Sequence, residues 1–180
     1  MGLWWARRAA LTLGIAASAF GLTACLARER ASGATGPPQT LPVTARWCLE
    51  PAAAGQAPAT AGDRGPRCIA LEVADTPQKQ AWGLQMRPRL PALRGMWFPY
   101  DLPSPLRFWM HRTPEPLDII FLRQGRVIAI AAATPCMRLP CATYGPAEPA
   151  DGVVELAAGE AKRLGIGVGS PAKIERIPPP

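Results

Sequence analysis

Proline occurs 22 times and glycine 17 times in these 180 residues, and that frequency limits the chain to short elements. Proline lacks a backbone donor and glycine weakens the interior of helix and strand alike. Beyond the N-terminus the apolar segments accordingly run mostly four to seven residues. Where such segments alternate, they read as strands. Cys68-Ile69-Ala70-Leu71-Glu72-Val73 sets Ile69, Leu71 and Val73 on one face, as a half-buried strand does. Val43–Leu49, Gly95–Phe98, Phe108–Met110, Gly152–Leu156 and Ala172–Ile177 read the same way. Asp118–Leu122 and Arg126–Ala131 read as a hairpin turning at Gln124-Gly125. Only two helices are expected. One runs from about Gln78 to Met86 behind Thr76-Pro77, an N-cap and a first-turn proline, with Ala81, Trp82 and Gln85 near its buried side. The other spans Ala158–Leu164 and is capped by Gly165. The expected fold class is mainly β, a small sandwich or partly open, jelly-roll-like barrel of short strands with two short helices.

The first residues follow different rules. Arg7 and Arg8 precede an uncharged run from Ala9 to Ala24. Roughly 20 apolar residues are needed to span a bilayer, so an export signal fits better than a membrane helix. Ala17-Ser18-Ala19 offers an ordinary cleavage site, whereas Leu22-Thr23-Ala24-Cys25 resembles a bacterial lipobox. The five cysteines are 25, 48, 68, 136 and 141. Cleavage after Ala19 would leave an odd thiol in an oxidising compartment, whereas lipidation of Cys25 leaves four for two disulfides. The division expected is a signal peptide over 1–24, a flexible Gly/Pro/Ser tether over 25–42 and one domain over 43–180. The protein is then an exported lipoprotein, anchored through Cys25 on the periplasmic or outer face of the cell envelope. Cys48 and Cys68 flank a Gly/Pro/Ala loop and are expected to close it. Cys136 and Cys141 form a C-x4-C ring, read as a structural staple rather than a redox pair.

The formal charge of +7 falls to +5 once Arg7 and Arg8 leave with the signal. No run of consecutive basic residues accompanies that excess in the domain, and nucleic acid is not an expected partner. There is no P-loop, dinucleotide fingerprint or zinc-ligand spacing, so neither a cofactor nor a metal is expected.

The succession LEVADTPQKQAWGLQMRPRLP, RGMWFPY, RFWMHRTPEPLDIIFL, GRVIAI, PCMRLPCATYGP and VVELAAGEAKRLGIGVGS resembles the domain-of-unknown-function 192 family, also called uncharacterised protein family 0127. The resemblance runs from about Cys68 to Ile177. It implies a jelly-roll-like or barrel-like β domain, often exported, and brings no established reaction, cofactor or catalytic residue. The family pattern has lysine and asparagine after its FWM, where this chain has His111 and Arg112. A role needing only a donor survives that exchange, and one needing a fixed charge passes to Arg112.

Candidate sites gather around that turn. Arg107, Trp109, His111, Arg112 and Tyr144 suit a cleft with an aromatic floor and polar rim, which would take a small anionic or sugar-like ligand. A weaker alternative is an envelope hydrolase or lyase in which Asp118 orients His111 and Tyr144 moves a proton. It lacks a serine in a nucleophile elbow. The third reading is a structural or partner-docking lipoprotein without a small-molecule ligand. On the bland reading FWM is mostly core strand, HRTPEP an exposed turn, and Asp118 a brace for that turn.

Overall fold

The computed structural model describes residues 36–49 and 67–179. The expected signal peptide, Cys25, the tether as far as residue 35 and the loop through residue 66 lie outside the described residues. In chain order the elements are β1 (Val43–Leu49), β2 (Arg67–Val73), α1 (Pro77–Trp82), β3 (Arg94–Ser104), β4 (Phe108–Trp109), β5 (Leu117–Arg123), β6 (Arg126–Ala133), β7 (Thr143–Tyr144), β8 (Ala150–Ala157), α2 (Glu160–Leu164) and β9 (Ile174–Arg176). The mainly β class expected from the alternation is what forms, as a partly open arrangement of short strands.

Seven strands make one sheet in the order β6-β5-β8-β3-β2-β1-β9, and β4 pairs with β7 in a second, two-stranded sheet. Within the large sheet β2 and β3 run parallel, and its other pairs are antiparallel. The β5–β6 hairpin turns at Gln124 and Gly125, both at positive φ (50° and 70°). That is the conformation a two-residue hairpin loop requires. Cys48 and Cys68 stand opposite each other in the β1–β2 register and are joined, as are Cys136 and Cys141.

Both faces of the large sheet are covered. On one, Trp47, Ile69, Leu71, Val154 and Leu156 pack under Ala161 and Leu164 of α2. On the other, Met96, Phe98, Ile119, Phe121 and Val153 lie beneath Leu84, Leu90, Leu106 and Met110. The half-buried strand expected at 68–73 is therefore buried on both sides. Glu72, facing the second layer, is 1% exposed. Its carboxylate accepts bonds from Arg87 Nη1 and Nη2 at 2.7 and 2.9 Å and from the Leu41 amide at 2.9 Å.

Three boundaries differ from expectation. α1 stops at Trp82, because Gly83 (φ 49°) leaves the helix while its amide still donates to Lys79 O. None of its residues is buried, and of the three expected near its inner side only Gln85, beyond its end, reaches the interior. β3 continues through the expected proline-rich turn to Ser104, with its register to β8 broken between Pro99 and Ser104, where prolines supply no ladder donors. Chain expected to belong to the tether already touches the domain: Gln39 Nε2 donates to Lys79 O and Gly83 O.

Candidate functional site

Phe108 pairs with Tyr144 and Trp109 with Thr143, so the small sheet brings two of the sequence-selected segments together. Phe108 packs edge-on against Phe98 and Phe121, with centroids 5.1 and 6.1 Å apart, and Met110 is buried. FWM is thus mostly core, as the pattern predicts. The chain then turns. The Arg112 amide donates to Cys136 O at 2.8 Å, the Cys136 amide to Met110 O at 3.2 Å, and the Met86 amide to Arg112 O at 2.7 Å. These bonds hold Arg112 at φ 59°, a left-handed conformation uncommon for a side chain of this size. The Cys136–Cys141 disulfide closes the loop that supplies two of them.

His111 occupies the middle of this frame, half-buried, its ring 5.1 Å from that of Trp109. Its Nδ1 is buried and finds no hydrogen-bond partner among the described residues. The Tyr144 hydroxyl accepts from the Thr134 amide at 3.1 Å and lies 3.3 Å from Thr134 Oγ1. Those two contacts hold its pKa below the ordinary phenol value. Arg107 Nη1 donates to Leu106 O and Pro146 O, both at 2.9 Å, tying the entry to β4 to the loop after β7. Trp109 and His111 are thus in ring contact beside the Arg112 backbone, whereas Tyr144, paired with Phe108, shares that residue's core-facing side, and Arg107 is tied to backbone carbonyls.

Asp118 is placed elsewhere. Its Oδ2 accepts from the Ala161 amide at 2.9 Å, in the first turn of α2, where a carboxylate satisfies an orphan donor. Along β5, Leu117 and Ile119 face the layer that holds Met110, while Ile120 and Leu122 face the other layer. Asp118 shares the second orientation and braces α2 rather than His111. The expected acid–base set loses its orienting carboxylate.

Sequence reasoning passed over Glu155. It stands in β8 between Met96 of β3 and Ile119 of β5, 4% exposed, with Oε2 lacking a partner among the described residues. Burial pushes its pKa up to about 8. Tyr100 is raised as well, first by its own burial and then by the Glu155 charge. The signal was present in GVVEL, since a carboxylate two residues from Val153 on an alternating strand shares its core face. Met96 separates this acid from Glu72, which pairs with Met96 from the other side. One row across the sheet thus holds two buried carboxyls, one bound by arginine and one not.

The comparisons agree with this architecture. The family model DUF192, described as an uncharacterized ACR, matches residues 58–174. A crystal structure of a protein of unknown function from Novosphingobium aromaticivorans DSM 12444 is 33% identical, with a TM-score of 0.60 over 82% of this chain and 94% of that one. Another, of "a putative transcription regulator" from Sinorhizobium meliloti 1021, is 25% identical with a TM-score of 0.60, covering 77% of this chain and 97% of that one. No curated protein matches.

Proposed function

The chain belongs to the DUF192 family of uncharacterised proteins, and we propose that it serves as a membrane-tethered envelope lipoprotein that binds a small anionic or sugar-like ligand at the turn around His111. The observation that carries this reading is the buried Nδ1 of His111, which finds no hydrogen-bond partner among the described residues, beside the Trp109 ring. An unmet buried polar atom calls for an explanation, and a ligand group is one. The aromatic face suits the apolar side of a sugar or organic acid, and the imidazole supplies one directed polar contact. Lipidation of Cys25 would keep the domain at a membrane, with residues 26–35 as its leash. The hydrolase alternative is weaker, because Asp118 is engaged with α2.

The test is a thermal-shift titration of the full chain in detergent with glucuronate, N-acetylglucosamine and inorganic phosphate. At a hundred times its dissociation constant a ligand adds roughly 2.7 kcal/mol of stability. A shift that His111→Ala and Trp109→Ala both abolish is expected. The absence of any shift would leave the partner-docking reading in its place. Retention of Cys25→Ser in the membrane fraction after export would overturn the lipid anchor.

A further inference from the structure

Five large apolar side chains stand well exposed among the described residues, and three of them gather around Arg112. Met86 is 42%, Met137 54% and Leu139 59% exposed. The Arg112 amide donates to Cys136 O and its carbonyl accepts from the Met86 amide, so one residue joins Met86 to the Cys136–Cys141 ring. Met137 and Leu139 lie on that ring with Arg138, also exposed, between them, and the ring holds no acid. The other two exposed side chains, Leu102 in β3 and Val168 after α2, stand singly. An isolated exposed apolar residue is ordinary, whereas a group of them marks a surface that meets something.

The chain enters the domain beside the same surface. Gly36, the first described residue, lies against the Trp82 ring: a Cβ on it would stand 3.3 Å from Trp82 Cζ2. Gln39 fastens the next residues to Lys79 O and Gly83 O. Trp82 O accepts from the Gln85 amide, so Met86 follows one turn after the ring that Gly36 touches. Residues 26–35 separate Cys25 from Gly36, and fully extended that length of chain reaches about 40 Å at most. Half the circumference of a compact domain of this length is roughly 60 Å. A lipid on Cys25 therefore cannot turn the opposite side of the domain to the bilayer. It keeps the side of Trp82 and Met86 toward it.

We infer that Met86, Met137 and Leu139, with Arg138, form the face by which the domain docks on a bilayer surface rich in anionic phospholipid. The inference rests on the lipid-anchored reading above and adds the orientation of the domain. The apolar side chains enter the boundary between headgroups and acyl chains while the guanidinium stays at the level of the phosphates, and the two contributions add. The disulfide ring and the backbone bonds through Arg112 hold the face in shape beforehand, so little ordering is needed on docking. Docked in this way, the His111 turn lies at the headgroup layer, and its ligand is met at the membrane.

The test is hydrogen exchange of the full chain reconstituted in vesicles of phosphatidylcholine, alone or mixed with phosphatidylglycerol, with flotation of the same vesicles as the separate readout of the anchor. Exchange of the Met137, Arg138 and Leu139 amides is expected to be at least about fivefold slower in the anionic vesicles, the share of one arginine near such a surface. Met137→Ser combined with Leu139→Ser should remove that slowing while the chain still floats. Arg138→Gln should remove the preference for the anionic vesicles. Leu102→Ser combined with Val168→Ser should change neither. All five side chains are exposed, so none of these variants opens the core. A floating chain whose ring exchanges equally in both vesicles overturns the docking face and leaves the anchor standing. So does a slowing that survives Met137→Ser with Leu139→Ser, or an anionic preference that survives Arg138→Gln. A chain that does not float overturns both.

Discussion

Glu155 and Glu72 show how much one partner changes a buried carboxyl. Glu72 receives a bidentate guanidinium and a backbone amide and is fully accounted for. Removing Arg87 strands a buried charge, so Arg87→Ala should cost about 3 kcal/mol, measurable by urea denaturation at neutral pH. Arg94, 3.7 Å from the same carboxylate, keeps the loss from being larger. Glu155 follows the opposite logic. Its folded pKa of about 8 lies above its ordinary 4.5, so between those values the folded state holds the proton that the unfolded state has lost. Stability therefore falls as pH rises from about 4.5 to about 8, by at most about 1.4 kcal/mol per unit. Glu155→Gln should flatten that slope and be the more stable protein at the alkaline end. An unchanged slope in denaturation midpoints at pH 5 and 8 would show that Glu155 is not its source.

The turn before β5 owes its shape to the element beside it. Arg112 keeps its left-handed backbone through bonds to Cys136 O and Met86 N, and Cys136 is fixed by the disulfide to Cys141. Replacing both of these cysteines by serine should speed amide exchange at Arg112 and Cys136 well before it affects the large sheet. Exchange confined to Met137–Pro140 would show that the staple does not support the site. Within the sheet, Gly95 is pressed between strands: a Cβ there would stand 2.6 Å from Leu156 Cδ2 and 2.8 Å from Glu155 O. Gly95→Ala should cost on the order of 1–3 kcal/mol by overpacking, read as a fall in the denaturation midpoint. The β5–β6 hairpin was legible from Gln124-Gly125 because its turn is local. The end of β3 was not, because pairing with β8 draws the strand through two prolines that locally signal a stop.

Across the whole molecule the acid side should fail for a different reason from the alkaline side. Glu160 is held below its ordinary pKa, chiefly by its hydrogen bond from Arg163, and Asp75 chiefly by that from Lys79. Their contributions are present above about pH 4.5 and disappear as pH drops through the lowered values. With Glu155 acting from the other direction, stability of the disulfide-intact protein should peak on the acid side of neutral, near pH 5. A maximum near pH 8 in a pH series of melting temperatures would contradict this balance.

What the sequence determined by itself is whatever is encoded within a few residues. The frequency of proline and glycine set short strands, alternation placed Ile69, Leu71 and Val73 inward, and Gln124-Gly125 and Gly165 set a turn and a cap. The cysteine positions implied both disulfides, and ordered motifs identified the family. Tertiary structure decided which polar groups are buried and what meets them. Whether Glu72, Asp118 or Glu155 faces solvent depends on what covers a sheet face, and the covers come from the chain after α1, from α2 and from the segment around β4, which the strands' own alternation does not reveal. The same Asp118 that sequence proximity offered to His111 reaches α2 instead, because consecutive residues of a strand point to opposite faces.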